Sequence, residues 1–161
     1  MEVNGLIGID GNFLEDSTLD NILANIANST DDENPTMQAI KAKYLKEGYG
    51  EYEWSNGSIY KGYWKDNKLC GKGVYYYTDG KKYIGEYNNN LKEGKGKYYW
   101  TDGKLYFGEF NQDKKEGIGK YTWNDGRIYL GFWKANKQNG LGRYTNPNEN
   151  KDKFGIWVEG K

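Results

Sequence analysis

Glycine returns in this chain on a beat of 23 residues. The pairs Gly48/Gly50, Gly71/Gly73, Gly94/Gly96, Gly117/Gly119 and Gly140/Gly142 keep that spacing, as does a second column, Gly62, Gly85, Gly108 and Gly131. Gly155 joins the second column after one inserted residue. Between the columns lie Asn56-Gly57, Asp79-Gly80, Asp102-Gly103 and Asp125-Gly126. A period in the range of about 20–50 residues marks an array of like units, each too small to bury a core alone. The chain must therefore fold as a row of near-identical pieces that hold one another up.

Each unit reads as a β-hairpin. Asn-Gly or Asp-Gly between aromatic-rich runs predicts a two-residue type I′ turn, in which both central residues take positive φ. With the first turn at Asn56-Gly57, Ser55 pairs with Ser58, Trp54 with Ile59, Tyr52 with Lys61 and Glu51 with Gly62. Side chains alternate across a strand, so Tyr52, Trp54 and Ile59 fall on one face and Tyr60, Gly62 and Trp64 on the other. In later units the first face carries Tyr75, Tyr77 and Ile84, then Tyr98, Trp100, Leu105 and Phe107, then Tyr121, Trp123, Ile128 and Leu130. The second carries Tyr83, Gly85 and Tyr87, then Tyr106, Gly108 and Phe110, then Tyr129, Gly131 and Trp133. The glycine column has a purpose here, because a residue without Cβ lets a ring lie flat over the backbone. The polar stretches Lys65–Lys72, Asn88–Lys95, Asn111–Ile118 and Lys134–Leu141 read as loops of constant length between hairpins. One hairpin is marginal in water, so stability must come from stacking along the array. Residues 140–161, with Asn146-Pro147-Asn148-Glu149-Asn150 in place of the tight turn and Lys153 at a Tyr column, read as the terminal cap.

Composition narrows the chemistry. Apolar residues make up 36% and charged residues 29%, a balance that alone points to disorder, but 16 Tyr, 6 Trp and 5 Phe oppose it. The absence of histidine removes Ser-His-Asp and Cys-His schemes and His-ligated metal sites. Scattered carboxylates form no acid–base pair, and the Gly-x-Gly pairs lack the third glycine of a dinucleotide fingerprint. The single cysteine, Cys70, has no internal disulfide partner, the apolar runs fall far short of the roughly 20 residues of a membrane helix, and no signal peptide opens the sequence. The expectation is a soluble intracellular protein without a cofactor and without an enzymatic role.

Charge divides the chain. Residues 1–47 carry nine acids and three lysines, and residues 48–161 carry 14 acids and 20 bases. The acidic part, 1–47, forms a separate segment with short helices. Leu19, Ile22, Leu23 and Ile26 follow helical spacing behind Asp16, Ser17 or Thr18 as caps, and a second helix is predicted from Pro35, capped by Asn34, to Gly48. The acidic arm either closes the first hairpin, docks on another protein or folds back on the basic array.

The unit Tyr60-Lys61-Gly62-Tyr63-Trp64-Lys65-Asp66-Asn67-Lys68, followed by Gly71-Lys72-Gly73-Val74-Tyr75 and Asp79-Gly80, resembles the MORN repeat (membrane occupation and recognition nexus). Tyr83–Gly103, Tyr106–Gly126 and Tyr129–Gly142 follow the same pattern, so the resemblance covers residues 48–161 in about five units. Lys153 at a Tyr column, with Tyr87 and Phe110 at Trp columns, departs from it. The resemblance implies a single-layer array of β-hairpins, a mainly β MORN-type solenoid, used as a scaffold or adaptor in cytoskeletal, ciliary or membrane-junction assemblies.

Two candidate surfaces follow. The ladder Tyr52, Trp54, Tyr75, Tyr77, Tyr98, Trp100, Tyr121 and Trp123 is the choice for a groove that holds a helix or extended segment of a partner protein, since rigid aromatics anchor interfaces. The lysines Lys65, Lys68, Lys72, Lys92, Lys95, Lys114, Lys115, Lys134 and Lys137 would line one edge, where anionic phospholipid is the alternative ligand. A third reading is an accessory subunit of an enzyme complex. Nucleic acid is not expected, because only Arg127 and Arg143 supply guanidinium groups. Cytoplasm, and within it the cytoskeleton, cilium or cell cortex, is the expected location.

Overall fold

The structure is a computed structural model that describes residues 45–149 and 151–161. These residues form ten strands: β1 Gly48–Glu53, β2 Ile59–Lys65, β3 Lys68–Tyr76, β4 Lys82–Asn88, β5 Leu91–Tyr99, β6 Leu105–Asn111, β7 Lys114–Thr122, β8 Ile128–Lys134, β9 Lys137–Thr145 and β10 Lys153–Trp157. They pair antiparallel in chain order, as one open meander. The array expectation therefore holds, although the units share one continuous sheet and are not separate hairpins. The first predicted helix and most of the second fall outside the described residues, and Leu45–Glu47, the described end of the second, is not helical.

The turns differ from the sequence reading. At Asn56-Gly57 the Trp54 amide donates to the Ser58 carbonyl at 2.9 Å and the Gly57 amide donates to the Trp54 carbonyl at 2.8 Å. Only Gly57 has positive φ, at 84°. The loop is thus the three-residue kind, a tight turn followed by a left-handed glycine. The Asn56 side chain favours this form, because its Oδ1 accepts the Ser58 amide at 2.9 Å. Asp79, Asp102 and Asp125 do the same for Lys81, Lys104 and Arg127. The type I′ signature, positive φ at both central residues, stands instead at Asp66-Asn67, Asn89-Asn90, Gln112-Asp113 and Ala135-Asn136. These lie inside the stretches expected to be loops, which are strands pairing through Lys65 with Lys68, Asn88 with Leu91, Asn111 with Lys114 and Lys134 with Lys137.

The one-residue difference in turn length moves the register, and it reassigns the faces. Tyr52 pairs with Tyr60 and Glu51 with Lys61, where the shorter turn pairs Tyr52 with Lys61. A slip of one residue sends every side chain of a strand to the opposite side. The two expected aromatic faces are therefore one face. Tyr60, Trp64, Tyr83, Tyr87, Tyr106, Phe110, Tyr129 and Trp133 are buried there, and the Tyr52/Trp54 ladder packs against them. Ile84, Phe107 and Leu130, assigned with the ladder, lie exposed on the other face beside Lys97, Lys120 and Arg143.

Four tyrosines, Tyr60, Tyr83, Tyr106 and Tyr129, have no exposed surface although among the described residues no second layer covers them. Each ring lies flat across a cross-strand glycine pair, as Tyr83 does over Gly85 and Gly96, where any Cβ would overlap the ring. Each hydroxyl donates to the carbonyl three residues on, at 2.9–3.1 Å. Rings from the Trp column close over them edge-to-face. The chain Trp64–Tyr60–Tyr87–Tyr83–Phe110–Tyr106–Trp133–Tyr129–Trp157 is unbroken, with centroids 5.0–5.5 Å apart. Contacts of this geometry each add about 0.5–1.5 kcal/mol beyond area burial.

The tight turns are latched in series. The amides of Asn67, Asn90, Asp113 and Asn136 donate to the carbonyls of Lys46, Leu69, Lys92 and Lys115, 21 residues earlier, and their Oδ1 atoms accept the amides of those same residues. Carboxylates of Glu47, Glu93 and Glu116 accept a further turn amide from Asp66, Gln112 and Ala135. Cys70 stands in that glutamate column, so the equivalent amide of Asn89 has no carboxylate. Between each turn and the glycine column, register jumps by two: Gly62 faces Gly73, yet Tyr63 faces Cys70. An even shift keeps the alternation in phase, so the aromatic face survives each irregularity.

Three outcomes follow for stability. Gly96→Ala should cost about 1–3 kcal/mol in denaturant unfolding, because the Tyr83 ring must lift from its seat. Cys70→Glu should raise stability by about 0.5 kcal/mol, the modest worth of an exposed charged hydrogen bond. Burial is the main cause that pushes the Tyr60 hydroxyl up to about 12 and those of Tyr83, Tyr87 and Tyr106 further. In the unfolded chain these groups ionise near pH ~10, so above that pH the unfolded state alone releases their protons. Unfolding free energy should be flat in this respect below pH ~10 and then fall by about 1.4 kcal/mol per unit for each such tyrosine. The share of the tyrosinate absorbance that belongs to these buried tyrosines should appear only together with loss of the β signal.

Candidate functional site

The aromatic face holds two rows of rings. The deeper is the edge-to-face core just described. Nearer the solvent runs the predicted ladder, and all eight of its residues fall in one contiguous line. Ring contacts pass from Tyr52 to Trp54 (5.0 Å), Tyr75 (5.3 Å), Tyr77 (4.6 Å), Tyr98 (5.8 Å), Trp100 (4.5 Å), Tyr121 (5.5 Å) and Trp123 (4.7 Å). Tyr144, which the sequence reading did not include, extends the line at 6.1 Å from Trp123. Each of the eight is half-buried and packs against the core. The residue spacing explains the line. In each unit one ladder ring sits on a strand, and the next begins the three-residue turn, so consecutive turns place their rings side by side.

Polar groups along this face are few and specific. The Tyr75 hydroxyl donates to Ser58 Oγ at 3.1 Å, and Ser58, buried in the first turn, donates to Asn56 Oδ1 at 2.7 Å. Burial chiefly, with neighbouring Tyr75 second, pushes the Tyr77 hydroxyl up to about 12. Tyr98 and Tyr121 are also raised, first by burial. The buried Tyr87 hydroxyl has no hydrogen-bond partner among the described residues, whereas Trp64 and Trp133 in the same column donate to Gly50 and Gly119 carbonyls at 3.3 and 3.0 Å.

The predicted lysine edge divides. Lys65, Lys68, Lys114, Lys134 and Lys137 flank the tight turns and are exposed, and Lys137 pairs with Glu159 at 2.6 Å. Lys72 and Lys95 lie across from Glu86 and Glu109 on the opposite face from the ladder. Lys92 and Lys115 turn toward the rings, because they pair with Tyr87 and Phe110 of the aromatic face. Lys92 Nζ meets Asp113 at 2.8 Å and the Tyr77 hydroxyl at 3.4 Å. Lys115 Nζ lies 4.6–5.6 Å from the rings of Trp133, Tyr121, Tyr106 and Trp100. Burial lowers its amine to about 8. Lys46, absent from the sequence-based choice, sits 3.8 Å over Tyr52. Its place 23 residues before Leu69 and 46 before Lys92 was the available signal. The nine lysines therefore form no single patch, since parity along each strand sends neighbours to opposite faces.

Among the described residues, no group of three or more His, Cys, Asp or Glu is placed to hold a metal ion. No helix of the described residues is long and apolar enough to cross a membrane. The face is a strip of rings into which Lys92 and Lys115 turn.

Comparison with known proteins agrees with the repeat geometry. The MORN repeat model matches residues 43–59, 60–82, 83–104, 106–126 and 129–151. No curated protein shows significant similarity to the chain. Among solved structures, the TCP domain of SAS-4 (dCPAP) of Drosophila melanogaster, in complex with a proline-rich motif of Ana2 (dSTIL), is similar at 14% identity and a TM-score of 0.45. That alignment covers 69% of this chain and 61% of the other, a loose likeness from which no residue role is carried over. Five matched repeats over most of the described sheet, with the glycine, tyrosine and turn columns all in place, make this chain a member of the MORN repeat family.

Proposed function

We propose that the protein is a non-enzymatic scaffold or adaptor whose aromatic strip seats a helical or extended segment of a partner protein. The supporting observation is the unbroken ladder from Tyr52 to Trp123, half-open and backed by a fully buried second row. Rings held in this way lose little side-chain freedom on binding, which is why Tyr and Trp anchor interfaces. From Tyr52 on β1 to Tyr144 on β9 is eight strand steps of about 4.8 Å, a strip roughly 38 Å long, enough for about seven helical turns laid across the strands. Role as an accessory subunit of an enzyme complex is a special case of the same binding. Cytoskeletal, ciliary or cortical assemblies are the settings proposed for it.

Anionic phospholipid is the less favoured ligand. Its lysines are dispersed between both faces, and Lys92 and Lys137 already hold carboxylates, so the electrostatic pull on a planar surface is diluted.

The test is the pair Trp100→Ala and Trp123→Ala in one chain. Partner capture and segment mapping by cross-linking should be lost at least tenfold, while the β circular-dichroism signal stays. Retained capture by a folded double variant would remove the groove. Salt-sensitive sedimentation with phosphatidylserine vesicles, unaffected by the variant, would favour the lipid surface.

A further inference from the structure

The repeats act as internal controls for one another, and one comparison isolates a site. Lys92 and Lys115 occupy the same column, 23 residues apart, each entering the aromatic face from the second position of its strand. Each backbone amide donates to the side chain 21 residues on, Lys92 to Asp113 Oδ1 at 2.9 Å and Lys115 to Asn136 Oδ1 at 2.8 Å. The backbone arrangement is the same, but the charge is not. Asp113 also neutralises the Lys92 ammonium at 2.8 Å. Asn136 is neutral, and no carboxylate of the described residues pairs with Lys115 Nζ, which is left among Trp100, Tyr106, Tyr121 and Trp133. One repeat thus fills with its own aspartate a seat that the next repeat leaves without an anion.

A half-buried ammonium faced only by rings is poorly solvated. Burial lowering its amine to about 8 is the same fact seen in its titration. The titratable groups facing it are Tyr106 from β6 and Tyr121 from β7, both raised by burial and both neutral near pH 7. A carboxylate arriving from outside the sheet would complete this site as Asp113 completes the preceding one.

The chain carries such carboxylates. Residues 1–40 hold eight acids and no Lys or Arg, while residues 45–161 hold 15 acids and 21 bases. Within the acidic part, Asp16 and Asp20 flank and interleave the stripe Leu19, Ile22, Leu23 and Ile26. That combination of anion and apolar side chains matches an ammonium set among aromatic rings. Reach is ample: β1 to β7 is six strand steps, about 29 Å, and the 25 residues from Asp20 to Leu45 span up to roughly 80 Å. A tether also gives an effective concentration on the order of millimolar, ahead of any partner in trans.

We propose that Lys115 is a carboxylate-binding site of the aromatic groove and that segment 16–26 of this same chain occupies it, through Asp16 or Asp20. The proposal rests on the groove reading and adds to it an intramolecular competitor for the partner.

The full chain at neutral pH supplies the test. Zero-length carbodiimide coupling should join Lys115 to Asp16 or Asp20, read by mass spectrometry, with labelled and unlabelled chains mixed to separate coupling within a chain from coupling between chains. The Lys115 amine, followed by its ¹³Cε resonance, should titrate near or above its ordinary value of about 10.4 and fall by a unit or more in the Asp16→Asn/Asp20→Asn chain. Asn136→Asp should abolish the cross-link by filling the seat from within, and partner affinity should rise at least threefold in the Asp16→Asn/Asp20→Asn chain. An amine near 8 in the unaltered chain with no Lys115 coupling, or coupling only to strand carboxylates, to a second copy or to a partner, overturns the assignment. Those results leave the groove itself standing, since that reading fails only if the Trp100/Trp123 double variant still captures its partner.

Discussion

A tyrosine ring laid flat on a cross-strand pair of glycines is the contact on which this molecule depends. Among the described residues the sheet has no second layer to receive its apolar side chains, and a ring standing upright on it would meet water. At Tyr60, Tyr83, Tyr106 and Tyr129 the ring lies down instead, because its own strand and the next both lack a Cβ beneath it. The hydroxyl then reaches a carbonyl three residues along, which satisfies the one polar atom carried into the interior. Once recumbent, each ring meets a ring of the next unit edge-to-face, Tyr60 with Tyr87, Tyr83 with Phe110, Tyr106 with Trp133 and Tyr129 with Trp157. The core is consequently a line rather than a centre, with each unit completed by the next.

The ladder inherits its rigidity from that line. Its rings rest on the buried row and cannot sink further, so they present a fixed apolar strip with only a few polar interruptions. The turn latches serve the same end from the other side. Each Asn or Asp in a left-handed turn ties its amide and its side chain to the strand 21 residues earlier, which fixes the distance between successive units. Because this scaffold does not vary, single substitutions within a column change one local site without disturbing the rest. Cys70 among the glutamates and Asp113 among the asparagines are two such changes, and the Lys92–Asp113 ion pair, which has no counterpart among the described residues at Lys115, shows the consequence of the second.

The divergence between sequence reading and structure that matters most for the aromatic face lies at the Asn-Gly and Asp-Gly turns, and its cause is small. The Asp-Gly and Asn-Gly columns correctly mark turns, but the side-chain oxygen of Asn56, Asp79, Asp102 and Asp125 binds the amide two residues on and selects the longer loop. That one residue reverses which strand sides meet, so two expected aromatic faces become one. The true type I′ turns, at Asp66-Asn67 and its equivalents, lack a glycine and so carried no comparable signal. The lysines dispersed for the same reason of parity, and Lys115 could not be told from Lys114 without knowing the register.

By itself the sequence determined the number of units, their 23-residue length, the identity of the family and eight of the nine rings in the aromatic line, since these depend only on which residue types recur and how far apart. Tertiary structure alone decided which rings share a face, which lysines point inward and which turn carries which hydrogen bonds. Those facts depend on cross-strand register, and register is set by hydrogen bonds at the turns that differ by one residue between two loops of nearly equal local preference.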